Sequence, residues 1–336
     1  MLATLLLGAA TAKADPKSWE LREDGRWQEV TAPTRQAVKD DVLDAVEANL
    51  IAHQYDDAHS RVVDWLKTHR DSTIRDRGVY LLGESNLLRD DRVMAFYNFD
   101  ELMDLYPASP YFYRALERQY QIADAYLNGY KNKFLGMRIL GLTDEAIEML
   151  YRIQQRSPGS TLAEKALRRS ADYYYATGEY DLASDAYGAY VRSYPRSPEI
   201  PRIRLRQAFA ALAQFRGLRF DATPVIDARQ QLIDLAAAYP DLAREENVTA
   251  LVDRIDLSLA DKLMDTAAFY RRTGEPKAAA YCYRYIIQNY PSSPAIAKAQ
   301  AGLKQLPSSA LAEAPPLEQP TTRPQKKPTT NNSPIP

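Results

Sequence analysis

The chain has 336 residues, with 43 lysines and arginines against 44 aspartates and glutamates and a formal net charge of −1. That balance excludes a global field that would draw it onto nucleic acid or an anionic membrane. Apolar residues make up 46%, tyrosines (23) far outnumber phenylalanines (8) and tryptophans (3), and a single cysteine, Cys282, excludes an intrachain disulfide.

The first segment has the pattern of an export signal. Leu2 to Ala10 is an apolar run too short to span a bilayer, followed by Ala12-Lys13-Ala14 and then by polar Asp15-Pro16-Lys17. The pattern predicts a signal over 1–14 with cleavage between Ala14 and Asp15. No basic residue precedes the run, which predicts a true start further upstream. Residues 15–34 are polar. Within them Trp19-Glu20-Leu21 and Arg26-Trp27-Gln28 flank Asp24-Gly25, a hairpin-turn dipeptide.

From residue 35 an internal repeat dominates. Tyr-Pro recurs at Tyr106-Pro107, Tyr194-Pro195, Tyr239-Pro240 and Tyr290-Pro291, and three of these continue as Tyr-Pro-x-Ser-Pro. Weaker copies stand at Arg156-Ser157-Pro158 and His69-Arg70-Asp71-Ser72. Successive anchors lie 37, 51, 37, 45 and 51 residues apart. The ideal tetratricopeptide period is about 34, so these intervals suit two helices with longer, variable loops. Each motif predicts a helix end and a helix start. Tyr closes one helix, the first Pro cannot continue it, and Ser caps the next helix with the second Pro at its first position.

The resulting hairpins, in chain order, are 35–70, 73–107, 111–158, 161–195, 199–240 and 248–291. Their turns are expected near His53-Gln54-Tyr55, Arg89-Asp90-Asp91, an insertion over 127–142, Gly178, the stretch 217–223 and Gly274-Glu275-Pro276. In the fourth hairpin Thr161 and Glu164 have capping-box spacing. Leu162, Ala166, Leu167, Ser170, Ala171 and Tyr174 form one inner stripe; Leu182, Ala183, Ala186, Tyr187, Tyr190, Val191 and Tyr194 form the other. One hairpin cannot bury such stripes alone, so neighbours must stack. Ala295 to Gln305 completes the array as a capping helix. Residues 307–336 carry 8 prolines and no aromatic or glycine, the composition of a disordered tail. The expected fold class is therefore all-α: a tetratricopeptide-like α-solenoid of about six hairpins plus a cap, over 35–306.

Nothing in this pattern carries catalysis. His53, His59 and His69 are offset by 6 and 10 residues, not one helical turn. Cys282 sits between Tyr281 and Tyr283 without a histidine nearby, as a buried small residue would. Pairs such as Asp40-Asp41 and Asp56-Asp57 stand at helix starts. No phosphate loop, nucleophile elbow or zinc motif occurs, so no catalytic, cofactor or metal site is expected. The tyrosine clusters 173–175 and 281–285 read mostly as packing. Two loops offer binding chemistry instead. The insertion is basic and apolar together, with Lys131, Lys133, Phe134 and Arg138 as candidate contacts. The segment 215–224 offers Arg216, Arg219, Phe220 and Asp221, with Thr223 capping the helix that follows.

The Tyr-Pro-x-Ser-Pro repeats, the long period and the export signal resemble the outer-membrane assembly factor BamD and its relatives. Lys133-Phe134-Leu135-Gly136 followed by Asp144-Glu145-Ala146, and the stretch from Phe215 to Pro224, carry the same likeness. The resemblance covers about 35–305. It implies a periplasmic protein at the inner face of the outer membrane, peripheral to that membrane. It implies two kinds of partner: a β-barrel insertase or its periplasmic repeat domains, and unfolded outer-membrane proteins. The family is typically anchored through a cysteine just after the signal, and no cysteine stands near residue 15. The rival reading is a Tol-Pal or cell-division coordinator. Such proteins often begin with a trimeric coiled coil, and no sustained heptad run precedes residue 35. A lytic transglycosylase would need a separate catalytic domain, for which the repeats leave no room.

Overall fold

The computed structural model describes residues 18–21, 27–30, 39–134, 137–215 and 222–311. The expected cleavage site, Ala14 and Asp15, lies outside the described residues, as does most of the tail. Among the described residues are fifteen helices and two small antiparallel hairpins, and no helix is long and apolar enough to cross a membrane. The fold is an all-α solenoid of helical hairpins. Its contacts group into two compact units divided after Pro195.

The first unit opens with β1 (Ser18–Leu21) and β2 (Trp27–Val30), paired antiparallel with Leu21 opposite Trp27. This is the hairpin expected around Asp24-Gly25. Four helical hairpins follow. They are α1 (Asp41–Ile51) with α2 (Tyr55–Thr68), α3 (Arg75–Leu88) with α4 (Arg92–Leu105), α5 (Phe112–Leu127) with α6 (Thr143–Arg156), and α7 (Thr161–Thr177) with α8 (Tyr180–Ser193). Strands β3 (Asn132–Phe134) and β4 (Met137–Leu140) form the insertion between α5 and α6. One continuous core runs from Leu43 to Ala166 through Phe99, Leu116, Ile122 and Ile153, all shielded from solvent.

The second unit holds α9 (Ile200–Ala213) and α10 (Thr223–Ala238), then α11 (Pro240–Glu245). The long α12 (Val248–Arg272) pairs with α13 (Pro276–Asn289), and α14 (Ala295–Lys304) and α15 (Ser308–Leu311) end the described chain. Its core gathers Leu205, Leu232, Leu235, Leu259, Tyr283 and Ile286.

The turns explain why these sequences make hairpins. Where the first helix of a hairpin ends, the chain passes through a left-handed residue: His53, Asp90, Gly129, Gly178 and Gly274, with φ of 62°, 70°, 89°, 85° and 79°. The amides there fold back on the last helical carbonyls, as Asp91 does on Asn86 at 2.8 Å and Glu179 on Tyr174 at 2.9 Å. Where the second helix ends, Tyr106, Ser157, Tyr194, Tyr239 and Tyr290 adopt nearly one conformation, φ −127° to −138° and ψ 56° to 69°. Each precedes a proline, which disfavours the helical region for the residue before it. The repeat seen in the sequence is thus a repeat of backbone geometry.

Several sequence expectations need correction. The second proline of the motif does not open the next helix. Ser109, Ser197 and Ser293 accept the amides of Tyr111, Glu199 and Ala295 at 3.1, 3.1 and 3.2 Å. That tight turn keeps Pro110, Pro198 and Pro294 just ahead of the helices. The N-cap of α7 is Ser160, not Thr161: its extended backbone lets Oγ accept the Ala163 amide at 3.0 Å. Nor does Thr223 stand as a cap, since α10 already begins there, with Pro224 in its first turn. Leu182, placed on the inner stripe of α8, is 42% exposed, while Ala183 beside it is fully buried. Pro240 does open a helix, α11, between the fifth and sixth expected hairpins. Finally Ser308–Leu311 is helical and buries Ala310, so helix extends past the expected tail boundary at 307.

Two positions test this packing. A β-carbon at Gly83 in α3 would stand 2.5 Å from the ring of Phe99, a fully buried residue of α4. Alanine is the better helix former by about 1 kcal/mol. Gly83→Ala should nonetheless destabilise the chain, because overpacking costs about 1–3 kcal/mol. A lowered denaturant midpoint confirms the close approach; a raised one refutes it. Asp40 caps α1 by accepting the Val42 and Leu43 amides at 3.0 Å, and it also accepts the Trp65 indole at 2.9 Å. Burial pushes its carboxyl up, but the bonds from Leu43, Trp65 and Val42 outweigh that and hold it below the ordinary carboxylate value. Asp40→Ala should cost about 1 kcal/mol at neutral pH. Because the folded value is depressed, that advantage is complete above the unfolded value of about 4 and is lost as pH falls through the folded one. Paired melts at pH 7 and pH 3 check it; a difference that grows on acidification contradicts it.

Candidate partner-binding surface

The insertion between α5 and α6 is pinned at both ends. Tyr130 and Leu142 pack on the core of the first unit. Between them β3 and β4 pair with Lys133 opposite Arg138 and Phe134 opposite Met137, and with an irregularity between Asn132 and Lys133. Lys131 is exposed. The backbones of Lys133, Phe134 and Arg138 occupy strand positions, and their side chains fall outside what is described. The sequence treated this stretch as a loop; a short β-hairpin stands there instead.

The second candidate loop is bounded in the same way. Phe215 and Ala222 pack against the core of the second unit on either side of it. Arg216, Arg219, Phe220 and Asp221 themselves lie outside the described residues.

Sequence reasoning missed a set of ion pairs between successive hairpins of the first unit. Arg77 of α3 reaches Asp44 and Glu47 of α1 at 2.7 and 2.9 Å. Arg118 of α5 forms a two-pronged pair with Glu84 of α3 at 2.7 and 2.9 Å, where the Glu84 side chain is only 11% exposed. Arg169 of α7 reaches Asp124 of α5 at 2.6 Å. Each pair therefore joins the first helix of one hairpin to the first helix of the next. A signal existed: the first two pairs are separated by 33 and 34 residues, about one ideal period. Arginine tied at both prongs is a positioning element of the array, not a reactive group.

His69 stacks on Trp65 with ring centroids 4.5 Å apart. Cys282 is 3% exposed, and burial pushes its thiol up. Among the described residues no group of three His, Cys, Asp or Glu side chains is placed to hold a metal ion. Of the tyrosine clusters, Tyr283 is buried and Tyr175 exposed, while Tyr173, Tyr174, Tyr281 and Tyr285 lie half-buried. Burial pushes the Tyr174 hydroxyl to about 12, with Tyr151 adding to the effect. Large apolar side chains on the outer side of α4, Met94, Tyr97 and Leu105, are 49%, 61% and 61% exposed.

Residues 141–308, half of the chain, match the model of the family described as YfiO, outer membrane lipoprotein. The chain belongs to this family. The match runs from the start of α6 to α15, through the Tyr-Pro-x-Ser-Pro motifs at Tyr194 and Tyr290. The YfiO family is that of BamD, so the sequence resemblance and the family agree. Among solved structures it is similar to the C-terminal part of a tetratricopeptide-containing protein from Cytophaga hutchinsonii. The identity is 16% over 78% of this chain and 86% of that one, with a TM-score of 0.37. It is also similar to the TPR domain of P58(IPK), at 14% identity over 78% of this chain and 76% of that one, with a TM-score of 0.25. Comparison with curated proteins gives no match.

Proposed function

We propose that this YfiO-family chain is a non-catalytic periplasmic scaffold of the machinery that assembles outer-membrane β-barrel proteins. It works at the inner face of the outer membrane, after export and removal of residues 1–14. The family match over 141–308 carries the reading. Two further observations support it. The helices form stacked hairpins, an architecture that presents extended surface to protein partners. The insertion between α5 and α6 is flanked by Tyr130 and Leu142, which pack against the core of the first unit, so it springs from anchored ends. Its partners are a β-barrel insertase or that insertase's periplasmic repeat domains, and unfolded outer-membrane proteins. Lys131, Lys133, Phe134 and Arg138 in the first unit, and Arg216, Arg219, Phe220 and Asp221 in the second, supply contacts without covalent chemistry.

Affinity isolation of the full chain from its native envelope tests this. Recovery of a β-barrel insertase supports it. Recovery of peptidoglycan-linked division proteins in its place would assign the chain to the coordinator class.

A further inference from the structure

Asp90 departs from the local rule of the fold. Three of the five left-handed turn positions described above are glycine, the residue that adopts this conformation without steric cost. Asp90 sits there at φ 70° with a β-carbon, in a region that aspartate tolerates better than most side chains, and its carboxylate is engaged beyond its own turn. Its carboxylate accepts a hydrogen bond from the hydroxyl of Tyr130, forty residues away at the root of the insertion. The Arg92 guanidinium covers the Tyr130 ring at 4.2 Å from its centroid, and its Nε lies 3.9 Å from the Asp90 carboxylate. That Nε is buried and makes no hydrogen bond among the described residues, so ring and carboxylate hold the guanidinium in place. From below, Tyr126, itself 2% exposed, meets Tyr130 edge to face at 5.6 Å.

We propose that Asp90, Tyr130 and Arg92 form a latch that fixes the root of the insertion, at Tyr130, onto the turn between α3 and α4, so that the insertion is offered to a partner from an anchored base. The proposal rests on the reading of the insertion as a contact surface. All three are positioning residues. A charge-assisted hydrogen bond and a cation over an aromatic face add to each other here, because one ring serves both. A preformed loop binds better than a mobile one, since less ordering remains to be done on association.

Trypsin provides the test, because cleavage after Lys133 or Arg138 requires the pairing of β3 with β4 to open, and a loosened root at Tyr130 makes that opening easier. In the full chain, Tyr130→Phe removes one hydroxyl and keeps the ring. It should speed cleavage at these sites about tenfold, with the melting temperature nearly unchanged. Asp90→Gly guards against a folding defect, because it relieves the left-handed backbone while deleting the acceptor; it should speed cleavage as well. His53→Gly relieves the same strain in another turn and should leave cleavage at the wild-type rate. Wild-type cleavage in both Tyr130→Phe and Asp90→Gly overturns the latch. Faster cleavage with undiminished capture of the insertase overturns its role in presentation. Failure of the wild-type chain to capture any insertase is a different result, and it counts against the scaffold reading itself.

Discussion

Replacing Ala183 with arginine is expected to unravel the α7–α8 hairpin. Ala183 is fully buried on the inner side of α8, four residues before Tyr187 and seven before Tyr190, each 1% exposed. Tyr187 donates to Asp172 of α7 at 2.7 Å, and the Tyr190 hydroxyl donates to Glu164 of α7 at 2.5 Å. An arginine at 183 must push apart the packing around a fully buried position, or drag a guanidinium under cover and draw Asp172 or Glu164 away from its tyrosine. Overpacking alone costs about 1–3 kcal/mol, and an unpaired buried charge costs more. Damage in a stacked array spreads through nearest-neighbour interfaces, so α5 and α6 of the same unit should loosen too. Arg192→Ala, an exposed change on the same helix, should shift stability by no more than about 0.5 kcal/mol. Denaturant melts of the two variants decide the matter. Equal stabilities would mean that α8 buries a different face.

The second large effect is expected in the other unit. Arg229 of α10 pairs through both prongs with Asp256 of α12, which is 3% exposed. The same guanidinium reaches the Asn289 carbonyl at 3.3 Å and lies 5.5 Å from the Tyr290 ring centroid. It therefore ties three helix segments to the Tyr-Pro turn. Burial, then the nearby Tyr285, pushes the Tyr290 hydroxyl well above its ordinary value, so this phenol stays neutral at physiological pH. Arg229→Ala strands a buried carboxylate, which typically costs about 3–5 kcal/mol. Removing both charges by Arg229→Met with Asp256→Leu should recover most of that loss, because a well-packed apolar pair often matches a buried ion pair. A single variant as stable as wild type would show that the pair is solvated. A double variant no better than the single would show that the arginine acts through packing alone.

The hairpin array was legible in the sequence because its punctuation is local. Proline after tyrosine, serine three residues past that tyrosine and glycine at the first turn each act within a few bonds, and the structure repeats their dihedrals almost unchanged. Finer choices were less legible because they depend on neighbours. Leu182 and Ala183 are adjacent and both apolar; only the contact with α7 decides which one is covered. Ser160 and Thr161 can both cap, and the extended backbone at Ser160 selects it. The strands at Asn132–Phe134 and Met137–Leu140 are too short, at three and four residues, to announce themselves by alternation.

The candidate site was legible in composition but not in its support. Lys131, Lys133, Phe134 and Arg138 stand out as a basic and apolar stretch. The root of the insertion, Tyr130, is held by Asp90 and Arg92, forty and thirty-eight positions upstream on another hairpin. Only the stacking of α3–α4 beside α5 brings them together. The arginine–carboxylate pairs were hidden for the same reason: exposed-looking charges are paired only once neighbouring hairpins are in place.

The most direct measurement is site-specific photo-cross-linking from position 131 in the living envelope, with position 192 on the exposed side of α8 as the control. The account predicts adducts from 131, and few from 192, to a β-barrel insertase or to outer-membrane proteins not yet folded. Adducts of equal yield from both positions, or adducts from 131 only to peptidoglycan-linked division proteins, would contradict it.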